Sequence, residues 1–371
     1  MTAADIIVIG GGIAGLSAAA ALSRHARVSV LEAEEQVGYH SSGRSATMVH
    51  YALGDRLVRA LTLASRPFFD DPPGEFGEVG YLVPMLVHAR EEEREALDQL
   101  HEELSPFAAL DQLDAAGVHA LCPLLKDDAR YGIGDMKGMR LDPHALLQGN
   151  LKQLRGNGGT LHVGARVARI EREGGAWTVT SEKGECFSAP VLVNAAGSWA
   201  DKVAELAGVR PLGLEPKRRT IITFDAPPGT PLHGLPFTKT VGDELYFSSE
   251  SGRLFASPMD EVPSDPCDAQ PDEYEIALAA HRMEERTVVQ VRQIHSKWAG
   301  LRTFTPDRHP AAGFAPDADG FFWLAGQGGF GLQTSPAMAA IAESLICGTA
   351  WPVPDVAADQ LSPRRFLGQP A

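Results

Sequence analysis

The chain is poor in cysteine: Cys122, Cys186, Cys267 and Cys347 are the 4 among 371 residues, and they stand far apart with no C-x-x-C pair. That spacing supplies neither the paired ligands of a zinc site nor a disulfide framework, so free, buried thiols and no metal are expected. Positive charge is also short. Lys and Arg number 33 against 48 Asp and Glu, leaving a net charge of -15. Nucleic acid and anionic membrane surfaces both require a basic face, and this balance disfavours them. No uninterrupted apolar run approaches the ~18 residues of a membrane-spanning helix. The chain runs into an apolar strand almost at once, without the basic segment and apolar core of a secretory signal, which gives the expectation of a cytoplasmic protein. There is no internal repeat or low-complexity tract, although Asp70-Asp71-Pro72-Pro73-Gly74 and Pro263-Ser264-Asp265-Pro266 read as loops. With 44% hydrophobic residues the chain can bury a large core, and its length suggests two or three domains.

What is present begins at Ile6-Ile7-Val8-Ile9, which leads directly into Gly10-Gly11-Gly12-Ile13-Ala14-Gly15. In this G-x-G-x-x-G, Gly10 permits the turn out of a buried strand and Gly12 leaves room for a pyrophosphate against the backbone. Gly15 lets the following helix pack on the strand. The phosphates would sit at the helix N-terminus, where free N–H groups favour negative charge. An Ala-rich helix over 16–22 and a second strand over 27–32 follow, and the strand ends in Glu32, an acid placed to accept hydrogen bonds from a ribose; Ala33 adjoins it.

The fingerprint alone does not separate NAD from FAD, and the far end of the chain does. A short apolar strand, Phe321-Phe322-Trp323-Leu324-Ala325, precedes Gly326-Gln327-Gly328-Gly329-Phe330-Gly331-Leu332-Gln333 and a helix read over 337–346. Its N-terminus is expected to face the flavin ring. A third glycine-terminated strand, Val191-Leu192-Val193-Asn194, breaks at Gly197 before Ser198-Trp199. Three such strands at the start, middle and end of one chain suit a long FAD better than NAD. Between them lie alternating segments at 220–224, 244–248 and 253–257, read as an antiparallel sheet of a second, discontinuous domain, while 91–104 reads as a solvated amphipathic helix.

On these residues, together with Gly38-Tyr39-His40-Ser41-Ser42-Gly43-Arg44-Ser45-Ala46, Lys217-Arg218-Arg219 and Trp298-Ala299-Gly300-Leu301-Arg302, the chain resembles the FAD-dependent D-amino-acid oxidase and glycine oxidase superfamily. Its motifs look most like those of bacterial D-arginine-type dehydrogenases. The resemblance implies an α/β fold: a Rossmann-like FAD domain of the GR2 type over 1–80, 145–213 and 305–371, and an antiparallel-sheet α+β substrate domain over 81–144 and 214–304. It implies non-covalent FAD, held by the three glycine turns and by Ser41, Ser42, Arg44, Ser45, Ala46, Thr47, Met48 and Val167. The guanidinium groups of Arg219 and Arg302 would hold a substrate carboxylate, as their planar forks suit. Tyr246 would hydrogen-bond the same carboxylate, and the Gly300 carbonyl would accept from the amine. His40, His50 and Tyr51 are the titratable groups nearest the flavin in sequence and could influence deprotonation of the amine, although a structural hydrogen-bonding role is the one expected of such histidines.

The implied activity is oxidative deamination of D-amino acids through transfer of the α-hydrogen to flavin, giving an imino acid and then a 2-keto acid and ammonia. Two departures bear on the substrate. Met48 and Leu53 stand where D-arginine-type enzymes carry a histidine and a tyrosine, and 79–87 lacks the glutamate that would pair with a basic side chain. An unpaired buried guanidinium is costly, so neutral or apolar D-amino acids are expected, in a pocket of Met48, His50, Tyr51, Leu53, Leu82 and Met85. Oxidation of 2-hydroxy acids, N-methyl amines or glycine is the alternative, and a subunit of an electron-transfer complex a second. The motifs leave the acceptor open among quinone, dye and oxygen. A quinone would imply peripheral attachment at the inner membrane.

Overall fold

A computed structural model describes residues 2–52 and 54–367. The opening apolar run is the fully buried strand Ile6–Ile9, flanked in parallel by Val28–Leu31 and Val191–Asn194. Thr160–His162 extends this sheet on one side; Phe321–Ala325 and the antiparallel edge Ala311–Phe314 complete its six strands on the other. Near-continuous apolar runs are what a parallel sheet covered on both faces demands. Ile6 and Val8 pack with Leu16, Leu22 and Ile341 of the helices Ile13–Leu22 and Gly331–Cys347. Ile7 and Ile9 point the other way, onto Val179 and Phe187 of a four-stranded sheet. Each such side chain fully buried contributes about 1.5–3 kcal/mol.

The second large sheet has ten strands. Its spine is the antiparallel pair Glu215–Phe224 and Ile294–Phe304, whose register sets Arg219 opposite Gly300 and Lys217 opposite Arg302. Arg253–Ser257 and Tyr246–Glu250 follow in order, then Phe237–Thr240. That last strand pairs in parallel with Met85–Ala89, so the sheet is not wholly antiparallel as expected. Met48–Val49, Met139–Leu141 and Gly80–Leu82 form a small three-stranded sheet.

Several boundaries move. The strand expected at 220–224 begins at Glu215, and the one at 244–248 is Tyr246–Glu250. The expected helix at 91–104 is a 3-10 turn, Glu91–Glu93, followed by Arg94–Leu104, with Leu97 and Leu104 buried. The largest shift is at the end of the chain, where the helix expected over 337–346 already begins at Gly331. The carbonyl of Leu332, which Pro336 cannot serve, accepts from Ser335 Oγ at 3.0 Å, and the first turns survive the proline.

Candidate active site

The strand-to-helix turn at Gly10 is built for close approach. Gly10 has φ +113°, and a Cβ there would lie 2.4 Å from the Ala195 carbonyl oxygen. A Cβ on Gly15 would lie 1.9 Å from the Gly10 carbonyl oxygen. These two glycines therefore lock strand to helix, and Gly15 does not itself border the cavity. Gly12 differs, since an added Cβ would meet only Ser42 Oγ at 3.3 Å, and Gly12 opens onto a long cavity. The helix that follows has no side-chain cap at Gly12; its Ile13 N–H donates to Ser42 Oγ at 2.9 Å.

From this turn the cavity runs in two directions. One end is walled by Glu32, Ala33, Val167, Gly197 and Trp199. Glu32 is buried and its carboxylate accepts from the Gly11 N–H at 2.6 Å and the Glu34 N–H at 2.8 Å. Burial pushes its pKa above the usual carboxylate value despite those bonds. His40 contacts Glu34 at 3.1 Å and packs its ring on Trp199, the structural role expected of it.

Along the middle lie Ile13, Ala14, Ser41, Ser42, Arg44, Ser45, Ala46 and Thr47. Ser41 Oγ donates to the Leu301 carbonyl at 2.6 Å, and Arg44 donates to the Ala269 and Ala299 carbonyls while pairing with Asp268, which ties this loop to the large sheet. The other end is formed by Gly328, Gly329, Phe330, Gly331, Leu332 and Gln333 at the start of the last helix, facing Arg219, Tyr246, Gly300 and Arg302 of the sheet. Met48, His50, Ile221 and Phe237 close that end.

The cavity thus brings together Arg219, Tyr246, Gly300 and Arg302 from sequence-distant strands. The Arg302 guanidinium lies between the rings of Phe304 and Phe330, 5.6 Å from each, and directly against the Gly329 backbone. Burial, with Arg219 beside it, pushes its pKa down to about 9, so this end of the cavity favours an anion. The only carboxylates among the described lining residues are Glu32 and Glu34, both at the opposite end. Asp243 and Glu244, in the turn between Phe237–Thr240 and Tyr246–Glu250, are engaged elsewhere, with Lys239 and with Arg286.

The expected side-chain pocket is only partly assembled. Met48 and His50 border the cavity, and burial together with Lys239 holds His50 neutral, its pKa down to about 3. Leu82 does not reach it: on a strand at the edge of the small sheet, its side chain is 62% exposed. Met85 is fully buried in the core beneath the sheet, and Tyr51 is buried with its ring stacked on Phe107. Neither borders the cavity among the described residues. Leu53 lies outside the described residues. Ile221 and Phe237 take the places that Leu82 and Met85 were expected to fill, because alternation along central strands turns them inward, and Glu261, half-buried behind the arginines, was not foreseen.

The match to the family model for FAD dependent oxidoreductases (DAO) spans residues 5–345. The chain belongs to that family. The cavity suits the cofactor, with a glycine-lined turn at a helix N-terminus, a buried carboxylate at one end and a second helix N-terminus at the other. An FAD dependent oxidoreductase domain-containing protein 1 from Bos taurus is 25% identical over 93% of this chain and 81% of its own length. Its Xenopus laevis counterpart is 31% identical over 46% of this chain, which spans only 37% of that protein. The tRNA 5-methylaminomethyl-2-thiouridine biosynthesis bifunctional protein MnmC of Polaromonas naphthalenivorans is 26% identical over 97% of this chain, which spans 59% of it. Glycine oxidase from Geobacillus kaustophilus has the same fold, with TM-score 0.86 at 20% identity over 99% of this chain and 100% of that one. So does L-alpha-glycerophosphate oxidase from Mycoplasma pneumoniae, solved with FAD bound, with TM-score 0.85 at 18% identity over 94% and 95%. No helix among the described residues is long and apolar enough to cross a membrane.

Proposed function

We propose that this FAD-dependent oxidoreductase oxidises the Cα–N bond of neutral, apolar D-amino acids. The observation that carries the reading is the convergence of Arg219, Arg302 and Tyr246 on one end of the cavity, beside apolar Met48, Ile221 and Phe237 and without a lining carboxylate. The likeness of its motifs to D-arginine-type dehydrogenases supports the D series, and the two-part division into an FAD unit and a substrate unit accompanies it.

FAD, when bound, supplies the two-electron acceptor for the α-hydrogen. The chain's own residues do the positioning. The two guanidinium forks and the Tyr246 hydroxyl donate to the substrate carboxylate, and the Gly300 carbonyl accepts from the amine, which orients the Cα–H bond. Met48, Ile221 and Phe237 exclude water around the side chain. Burial and Lys239 hold His50 neutral, its pKa down to about 3, so it is a weak acceptor for the substrate ammonium proton. The imino acid released adds water and breaks down to a 2-keto acid and ammonia. A cationic side chain entering this end would meet two arginines and no acid.

The test is kcat/KM for D-leucine, D-methionine and D-phenylalanine against D-arginine and D-lysine, with the L-enantiomers, glycine and 2-hydroxy analogues alongside, in air and with an electron-accepting dye. The apolar D-amino acids should lead; a lead for D-arginine, or turnover of hydroxy acids alone, would overturn the reading. A second reading comes from the likeness to the tRNA 5-methylaminomethyl-2-thiouridine biosynthesis protein over nearly the whole chain, which suggests an aminomethyl group on a nucleoside as substrate. The net charge of -15 opposes binding of an RNA backbone.

A further inference from the structure

Resting on the carboxylate reading above, we propose that Glu261 is a positioning residue that holds the Arg219–Arg302 fork and sets the site to accept a single negative charge. Arg219, Arg302 and Phe330 border two cavities at once: the flavin cavity on one side and a second, charged cavity on the other. Glu261 lies in the second. Its Oε1 is 3.3 Å from Arg302 Nη1 and 3.6 Å from Arg219 Nη2, and its two oxygens accept from Arg308 Nη2 at 3.0 and 3.1 Å. It therefore grips both guanidinium groups from behind, leaving their other edges toward the flavin cavity.

The fork is anchored from a second direction as well. Arg219 Nε donates to the Asp260 carbonyl at 2.7 Å, and the Asp260 carboxylate, 3.9 Å from Arg219 Nε, accepts from the backbone N–H and hydroxyl of Thr220 at 2.8 and 3.1 Å. Lys239 nearby is paired with Asp243 and adds no net charge. Burial would raise the Glu261 pKa, but Arg308, Arg302 and Arg219 outweigh it and keep the carboxyl ionised. Three guanidiniums against two carboxylates leave one positive charge, which one substrate carboxylate neutralises. Without Glu261 the cluster would carry two, and a dianion would become the better match.

The experiment titrates flavin-loaded protein with propionate, a monoanion, and malonate, a dianion of similar length, read by perturbation of the flavin absorbance and independently by thermal shift. Glu261→Gln should raise the malonate-over-propionate affinity ratio by about tenfold or more, and Glu261→Asp should return it toward wild type. Arg308→Gln, at a half-exposed side chain whose loss threatens folding little, should move the ratio the opposite way by a similar factor. In turnover, the Glu261→Gln effect should fall mainly on KM. A ratio within about twofold of wild type in both variants would overturn the proposal, as would loss of all carboxylate binding in a Glu261→Gln protein that keeps its flavin, which would make Glu261 mere scaffold. Should wild type bind neither carboxylate, the carboxylate site itself falls and this proposal with it.

Discussion

The two ends of the long cavity are built on different principles. At the Glu32 end, contact is made by backbone: a turn whose Gly10 and Gly15 admit no side chain and whose Gly12 opens onto the cavity, a helix N-terminus and a carboxylate that ties down its own loop through the Gly11 and Glu34 N–H groups. At the Arg302 end, contact is made by long side chains, from Arg219, Tyr246 and Arg302 on three strands of another sheet. A site made of backbone tolerates no added atom, whereas a site made of side chains can be edited one group at a time. Substitutions at the first end should therefore act all-or-none, and those at the second in graded steps.

The strongest test of that contrast compares two glycines of one turn. Gly15→Val should prevent folding, because its Cβ would collide with the Gly10 carbonyl, and the expected product is insoluble protein. Gly12→Val should give folded but colourless protein, as the added side chain projects into the cavity. Flavin absorbance and circular dichroism separate the outcomes, and a yellow Gly12→Val protein would break the comparison.

At the graded end, Arg302→Ala should keep the flavin spectrum and lose about 10- to 100-fold in kcat/KM, the equivalent of about 1.5–3 kcal/mol for one charge-assisted contact. Full loss of flavin in this variant would show that the two ends are not independent.

A pH effect on stability should follow from buried histidines. His50 at the Arg302 end and His88 in the core each have a pKa lowered by burial from 6.5 to about 3. Unfolded chains take up protons on these rings as pH falls through 6.5, while the folded protein does not until about 3. Their contribution is thus intact above 6.5 and is lost progressively as pH drops toward 3. The urea midpoint should fall between about pH 7.5 and about pH 5, and His88→Gln should flatten that fall.

The smallest effect is expected at Leu82. With its side chain in solvent, Leu82→Ser should change stability by less than about 0.5 kcal/mol and leave substrate preference unaltered. A shift in preference would mean that this strand closes over the cavity during turnover.

Much of the nucleotide end was legible in the residues themselves, because contiguous sequence makes it. Strand, G-x-G-x-x-G turn, helix and acid follow one another from Ile6 to Glu32, and each has a local physical signature: an apolar run for a buried strand, glycine where a Cβ cannot fit, a carboxylate at the strand end. Arg219, Tyr246, Gly300 and Arg302 were found only by motif likeness, since nothing in their own neighbourhoods distinguishes them from surface residues. What the tertiary structure decided is direction and partnership. Leu82 and Met85 lie in consecutive strands and are both apolar, yet one faces solvent and the other the core, because the first strand is the exposed edge of the small sheet and the second is buried within the large one. Glu261 reads in the sequence as one more acid after Asp260. It becomes part of the site only because sheet register carries residues 219 and 302, and the turn after Phe304 carries residue 308, to its side, and a Coulomb interaction depends on distance in space rather than along the chain.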